Sequence, residues 1–159
     1  IRHARSVVPD IAIRTTFLVG FPGETDEEFE DLCDFIREMK FERVGVFQYS
    51  HEEDTSGYLM ADDVSPETKQ ERANTIMEIQ QEISMEHNEQ LVGCTFRVLF
   101  DRKESGYFIG RTEFDSPEVD NEVWVDATKF YARIGDFAQV VITEAQEYDL
   151  YGEIVGQAN

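Results

Sequence analysis

The cysteine and histidine residues are the side chains of this sequence best suited to bind zinc or an iron–sulfur cluster. Cys33 and Cys94 are far apart, and no CxxC or CxxxCxxC spacing occurs. His3, His51 and His87 are equally scattered. Zinc and iron–sulfur sites need several thiols or imidazoles that converge. The sequence therefore predicts no metal ligands and no catalytic residue in these 159 residues, and it assigns Cys33, within an apolar helical stripe, to a core.

Two runs of apolar residues end in side chains that could contact a bound ligand. The first run, within residues 11–21, is broken by Gly-Phe-Pro-Gly at residues 20–23, and the second, residues 44–49, ends in Gln48 and Tyr49. Ligands of parallel α/β sheets meet the carboxyl ends of the strands. A glycine at such an end, here Gly20, permits close approach of a ligand to the backbone.

The elements that must position these ends follow from local patterns. Thr25 and Glu28 have the spacing of a capping box, and the helix that they begin is expected to end near Lys40. Strand, helix and strand in about 40 residues indicate a right-handed parallel βαβ unit. After a polar loop, Ser65-Pro66 is typical of the start of a second, long helix.

From residue 91 the hydrophobic period changes to that of short strands. Turn-rich segments separate five candidates, and no helical pattern intervenes. The candidates are 95–100, 107–111, 123–125, 138–143 and 150–155. The pattern predicts a small antiparallel, OB-like barrel of five strands, with a domain boundary near residue 90.

The charge of the chain limits its partners. The sequence has 34 acidic and 14 basic residues, and its formal net charge is −20. Residues 91–159 alone have 13 acidic against 6 basic side chains. A surface of this sign repels phosphates and attracts basic proteins. No apolar run approaches the roughly 20 residues of a membrane span, and two thiols without an export signal favour the cytoplasm.

Three motifs resemble one enzyme family. Residues 15–25, TTFLVGFPGET, resemble a late strand of the radical S-adenosylmethionine methylthiotransferases, and residues 45–50, GVFQYS, resemble their final barrel strand. The five-strand tail with Gly110-Arg111-Thr112 is similar to their TRAM domain. The resemblance implies an α/β fold: the last part of a radical, TIM-like barrel in residues 1–90, and a TRAM barrel in residues 91–159.

The resemblance also implies cofactors. Such enzymes use S-adenosylmethionine and two [4Fe–4S] clusters, and their chemistry installs a methylthio group at a carbon of the substrate. Because the chain lacks CxxxCxxC and begins without Met, we expect a C-terminal fragment that is inactive alone. By resemblance, Thr16, Leu18 and Gly20 line the S-adenosylmethionine side of the first strand. Residues 47–49 (Phe47, Gln48 and Tyr49) would lie near the adenine.

The stretch after Gly110-Arg111-Thr112 distinguishes two branches of the family. Its acidic residues, in EFDSPEVD, resemble the RimO type, which modifies the β-carbon of an aspartate in a ribosomal protein. Asp115, Glu118 and Asp120 are the expected partner-binding residues, although an acidic turn is also typical of a solvated loop. A basic ribosomal protein is then the expected partner.

Two alternatives stay open at this point. The tRNA-modifying branch would need a basic face, and six residues could form one if they converge: Arg97, Arg102, Lys103, Arg111, Lys129 and Arg133. The other alternative is a stand-alone binding module in which the βαβ part is only a scaffold. In either case residues 1–90 form only part of a barrel, and their unpaired strand edge favours self-association.

Overall fold

The computed structural model describes residues 1–117 and 120–157, which divide into two compact units, Ile1–Ile83 and Ser84–Asn159. The first unit contains α1 (Arg2–Val7), β1 (Arg14–Val19), α2 (Asp26–Met39), β2 (Arg43–Gln48), a 3-10 turn (Ser56–Leu59) and most of α3 (Pro66–Gln90). The last turns of α3 belong to the second unit. None of these helices has the length and apolar character that a bilayer crossing needs.

The starts of the two long helices are as predicted. The Thr25 hydroxyl accepts a hydrogen bond from the Glu28 amide, and the Glu28 carboxylate accepts one from the Thr25 amide. The Thr25 amide and hydroxyl both donate to the Glu28 carboxylate, and these two bonds lower the pKa of Glu28. The Ser65 hydroxyl caps α3 by accepting from the Thr68 amide at 3.1 Å. α2 ends at Met39, and its C-cap residue Lys40 has a φ of 45°, in the left-handed region.

β1 and β2 pair in parallel, as the βαβ pattern predicts. One face of this two-stranded sheet packs against α2 and α3. The buried or partly buried side chains of that layer are Phe17, Val19, Phe29, Leu32, Cys33, Ile36, Val44, Val46, Ala73, Ile76, Ile79 and Ile83. The burial of Cys33 confirms its assignment to the core.

Helix α1 was not expected from the sequence. It has six residues, none of them buried, and so offers no apolar stripe that could indicate a helix. Arg5 holds it in place, because its Nη2 donates to the Lys40 carbonyl at 2.8 Å and to a Glu42 carboxylate oxygen at 3.0 Å. This helix therefore depends on a distant cationic contact rather than on local propensity.

The second unit is a closed barrel of five strands. They are β3 (Thr95–Glu104), β4 (Tyr107–Arg111), β5 (Glu122–Asp126), β6 (Phe137–Ala145) and β7 (Asp149–Gln157). The order around the barrel is β3-β4-β5-β7-β6, and β6 closes on β3. All five predicted strands and the barrel they form are confirmed.

The expectation of a wholly antiparallel barrel is wrong. β5 and β7 run parallel, whereas the other four neighbouring pairs are antiparallel. Strict alternation of direction around a closed ring requires an even number of strands. A closed barrel of five strands must contain at least one parallel pair, and here the long connection through β6 allows it.

The core of the barrel is filled by alternating side chains of all five strands, among them Val98, Phe100, Phe108, Val123, Val125, Val140, Ile142 and Leu150. The end of α3 is fixed to this unit by polar bonds. The Ser84 hydroxyl donates to the Glu147 carbonyl at 2.6 Å, and Asn88 Nδ2 donates to the Gln146 carbonyl at 2.8 Å. These contacts explain why the second unit begins before the end of the helix.

Candidate functional site

Three of the predicted cofactor-binding residues share one face of the two-stranded sheet. Leu18 pairs with Phe47 in register, and Thr16 lies two residues before Leu18. This is the face opposite the helices, and it is open: Leu18 is 48% exposed and Phe47 67% exposed. The structure thus brings together an apolar surface with one hydroxyl at its edge.

Gln48 and Tyr49 lie elsewhere. Gln48 pairs with Val19, and its side-chain amide donates to Gln70 on α3 at 2.9 Å. The Tyr49 ring contacts Phe21 edge-on, with centroids 5.2 Å apart, and its hydroxyl lies 3.4 Å from His51 Nδ1. These two predicted residues already have protein partners at the carboxyl end of the strands, apart from the open face.

Gly20 has a structural role that the sequence did not reveal. Its φ is +74°, and a Cβ at this position would overlap the Lys69 side chain. Its amide donates to a Glu24 carboxylate oxygen at 3.0 Å. The close approach predicted for a ligand at Gly20 is made in this structure by the stem of Lys69.

A charged cluster at this end of the strands was missed by the sequence analysis. Arg72 Nη1 lies 2.6 Å from Glu24 and its Nη2 lies 2.7 Å from Asp26, while Lys69 Nζ lies 2.7 Å from Asp62. Both cations are buried. The available signal was the position of two cations one turn apart, just before the apolar residues of α3.

The chemistry of the open face is that of binding rather than proton transfer. Its side chains, Thr16, Leu18 and Phe47, do not titrate, and an apolar surface with one hydroxyl suits a flat group such as a purine.

A suitable group of metal ligands is absent from the part of the chain that the structure describes. Nowhere in residues 1–117 and 120–157 do three histidine, cysteine or acidic side chains form a group that could hold a metal ion. Burial raises the pKa of the Cys33 thiol, which keeps it protonated.

The acidic turn of the barrel is organised by its own carboxylates. The Thr112 hydroxyl donates to Asp115 at 2.6 Å, and the Ser116 amide donates to Asp120 at 2.8 Å. Glu118 lies outside the described residues. Both described members of the predicted partner-binding set therefore stabilise the loop, which is the role that a solvated turn requires.

Most of the six barrel cations contact carboxylates or aromatic rings of the barrel itself. Arg102 forms a bidentate pair with Glu122 at 2.6 and 2.9 Å, Arg111 pairs with Asp101 at 3.0 Å, and Lys129 lies 3.8 Å from Asp126. Two others stand over aromatic rings: Arg97 over Phe137 and Lys103 over Phe108. The three ion-paired cations therefore contribute little net positive potential to the barrel surface, whereas Arg97 and Lys103 keep their charge.

The comparison with protein families concerns the second unit. The family model of the TRAM domain matches residues 92–155, which include all five strands but for the last residues of β7. The barrel is a TRAM domain. The Gly110-Arg111-Thr112 sequence lies at the end of its strand β4, where Arg111 forms its ion pair and Thr112 begins the acidic turn.

Several relatives that match nearly the whole chain share one name. Proteins called ribosomal protein uS12 methylthiotransferase RimO are 59% identical over 98% of this chain in Cytophaga hutchinsonii, 57% over 96% in Christiangramia forsetii and 47% over 98% in Phocaeicola vulgatus. The chain spans about a third of the length of these relatives, from 34% to 36%. The resemblance to the RimO branch with a TRAM domain is confirmed.

A solved structure gives a much weaker likeness. It is a multidomain protein with nucleic acid binding domains from Streptococcus pneumoniae, and it overlaps 46% of this chain and 29% of its own at 12% identity. The TM-score is 0.32, so this overlap carries no argument about the TRAM domain.

Proposed function

We propose that this chain is part of a methylthiotransferase of the RimO type, which modifies the β-carbon of an aspartate in ribosomal protein uS12. The observation that carries the proposal is 59% identity over 98% of the chain to a protein of that name. In this proposal residues 1–90 are the last part of a radical, TIM-like barrel, and residues 91–159 are the TRAM domain. The parent enzyme acts in the cytoplasm, where ribosomal proteins are found.

The open face of β1 and β2 would form part of the cofactor site. With an iron–sulfur cluster, S-adenosylmethionine supplies the radical chemistry that this enzyme class uses. Leu18 and Phe47 would exclude water from the apolar side of that cofactor, and the Thr16 hydroxyl would donate or accept a hydrogen bond at its edge. An apolar pair that is about half exposed or more supports this use, because such a face of a parallel sheet is normally covered.

The two [4Fe–4S] clusters do not fit the described residues, since these include no suitable group of ligands. We therefore propose that other parts of the parent enzyme bind the clusters and that this chain alone has no methylthiotransferase activity. Assay of the isolated chain with reductant, S-adenosylmethionine and uS12 should yield unmodified uS12 by mass spectrometry.

The TRAM domain would dock the protein substrate. Its 13 acidic and 6 basic side chains give a surface that attracts a basic polypeptide and repels RNA. The ion pairs of Arg102, Arg111 and Lys129 support this sign, because they leave few cations for phosphate contacts. The alternative, a tRNA substrate bound through the six barrel cations, predicts tight RNA binding that weakens steeply with salt.

Binding of ribosomal proteins to the immobilised chain, together with a gel shift with tRNA, distinguishes a protein substrate from a tRNA substrate. Purified uS12 should be retained at low salt and released as salt rises, whereas an acidic ribosomal protein should pass through. A gel shift with tRNA, under the same salt series, should show no complex. Retention of both ribosomal proteins to the same extent would contradict specific docking, and a tRNA complex with failure to retain uS12 would favour the alternative.

A further inference from the structure

Three aromatic rings meet on the outer surface of the barrel. Trp124 of β5 pairs in register with Tyr151 of β7, and Tyr107 of β4 lies diagonally across from Trp124. The ring centroids are 5.6 Å apart for Tyr107 and Trp124 and 6.1 Å apart for the other two pairs. The residues on either side of Trp124, Val123 and Val125, are fully buried in the core, so Trp124 points outward.

This aromatic triad (Tyr107, Trp124 and Tyr151) is accessible to a partner. All three residues are partly exposed rather than buried. No Lys or Arg of the described residues stands over any of the three rings, although four other rings of the chain each have a cation above them. The negative π faces of the triad are therefore not satisfied by a cation of the chain itself.

Two carboxylates lie beside Tyr151, one of the three rings of the triad. Glu144 pairs with Tyr151 in register across from β6, and Asp149 lies two residues before Tyr151 on the same side of β7. Burial, followed by the charges of Asp149, Tyr107 and Glu144, raises the pKa of Tyr151. Within the described chain neither carboxylate forms a salt bridge, although the Arg102 charge, which pairs with Glu122 and Glu104, partly offsets the rise in the pKa of Asp149.

The position of the triad is one at which barrels of this topology bind ligands. OB-type barrels bind oligonucleotides and oligosaccharides on the outer face of their second and third strands, which here are β4 and β5. Aromatic residues on such a face usually stack with bases, beside cations that contact the phosphates. Here the neighbours are carboxylates, and these would repel a phosphate backbone while they attract an ammonium or guanidinium group.

We propose that the aromatic triad and its carboxylates bind a lysine or arginine side chain of a basic polypeptide. The proposal rests on the proposed function, in which the TRAM domain docks a basic ribosomal protein, and it assigns the contact to one place on the barrel. Neither the sequence resemblance nor the acidic turn at residues 115–120 pointed to these residues.

Trp124 allows a direct test, because it is the single tryptophan of the chain. The probes are two peptides of alternating lysine or arginine and glycine, without aromatic residues, and a third in which every lysine is acetylated. Titration of the whole chain with either charged peptide should change the Trp124 emission, and the acetylated peptide should not. Caesium ions should quench the free chain more strongly than iodide, since the carboxylates concentrate cations around the indole.

Variants of the triad test whether peptide binding needs the aromatic ring of Tyr151 and the charge of Asp149. Tyr151→Leu should weaken peptide binding about three- to fivefold, whereas Tyr151→Phe, which keeps the ring, should stay within about twofold. Asp149→Asn should weaken binding about threefold and make the salt dependence shallower. Glu89→Gln removes one exposed charge from α3 and should leave binding unchanged. Circular dichroism of each variant confirms that the fold is intact.

The outcomes distinguish this inference from the function on which it rests. Binding of uS12 and of the charged peptides without a change in Trp124 emission, or with equal affinity for Tyr151→Leu, would overturn the triad as the site and leave substrate docking in place. Loss of all binding to uS12 would contradict both. Quenching of Trp124 by a single-stranded RNA, but not by the peptides, would overturn the proposal in favour of base stacking.

Discussion

The two units of this chain bury their strands in different ways. In the first unit, a sheet of two parallel strands is covered by helices on one face and exposes Leu18 and Phe47 on the other. In the barrel, every strand has two neighbours, and the inner face is closed on itself. Parallel sheets are normally covered on both faces, whereas a closed barrel needs no further layer. The barrel therefore closes around its own core, whereas the first unit leaves one face of its sheet uncovered.

Charge is also used differently in the two units. Arg72 and Lys69 are buried in the first unit, where each neutralises carboxylates at the end of the strands. In the barrel the ion pairs lie nearer the surface, and Asp149 and Glu144 have none among the described residues. A buried pair is costly to break, whereas an excess of surface charge is available for binding. The first unit should therefore respond to charge removal in stability and the barrel in affinity.

The largest effect is expected from Arg72→Met. It removes the partner of the partly buried Glu24 carboxylate while it keeps an apolar stem, and the first unit should lose about 3 kcal/mol of stability. Helical circular dichroism reports this unit, which contains α2 and most of α3. Arg37→Met, which breaks only the exposed pair with Asp34, should cost less than about 0.5 kcal/mol. Equal losses for the two variants would contradict a structural role for the buried pair.

A smaller loss, confined to the barrel, is expected from Gly110→Ala. A Cβ at Gly110 would overlap the Leu99 carbonyl of the neighbouring strand and the Val98 side chain, and the backbone cannot move without opening the barrel. We expect about 2 kcal/mol of destabilisation, measured by Trp124 fluorescence during denaturant unfolding. At Gly156 a Cβ would approach only the Gln139 side chain, at 3.9 Å. Gly156→Ala should be nearly neutral, and a comparable loss there would remove the steric explanation.

The open face of the first unit should cause self-association. Light scattering of the whole chain should show dimers or larger species that increase with concentration, because Leu18 and Phe47 and the strand edges are uncovered. Phe47→Gln should shift the population toward the monomer. Phe114→Gln, at an exposed aromatic residue of the barrel, should not. A clean monomer at all concentrations, with cooperative melting of both units, would contradict the account of the first unit.

The smallest expected effect is on the pH dependence of barrel stability, through Asp149. Burial and the Glu122 carboxylate raise the pKa of Asp149, so the folded barrel holds this proton more tightly than the unfolded chain. Stability should fall as the pH rises through the folded-state pKa, because the charged form opposes folding. Asp149→Asn should therefore stabilise the barrel at pH 7, by at most about 1 kcal/mol, and have no effect below pH about 3.5. If Asp149→Asn destabilised the barrel at pH 7, the charged Asp149 would favour folding, which would contradict this prediction.

The sequence was sufficient for the elements that have local signals. Thr25 and Glu28 predicted the start of α2, Ser65 predicted the start of α3, and the alternation of apolar residues predicted all five barrel strands. Helix α1 gave no such signal, since it depends on Arg5 and a contact more than thirty residues away. The parallel pairing of β5 and β7 follows from closure of five strands, which no single strand reveals.

The candidate sites were less predictable because they depend on register. The family resemblance placed Thr16 and Leu18 on one side of β1, but the register that brings Phe47 of β2 onto the same face is visible only in the structure. The contact of Gly20 with Lys69 and the meeting of Tyr107, Trp124 and Tyr151 need the order and register of elements that are distant in sequence. Each ring occupies an outward position in its own strand, which is the only trace that the sequence retains.

Hydrogen exchange of the chain, free and with saturating uS12, tests most directly the claim that the acidic barrel is the docking module. We expect slower exchange of backbone amides on β4, β5 and β7 in the complex, and unchanged exchange on β1 and β2. Protection restricted to the first unit, or protection of the barrel by tRNA but not by uS12, would contradict the claim.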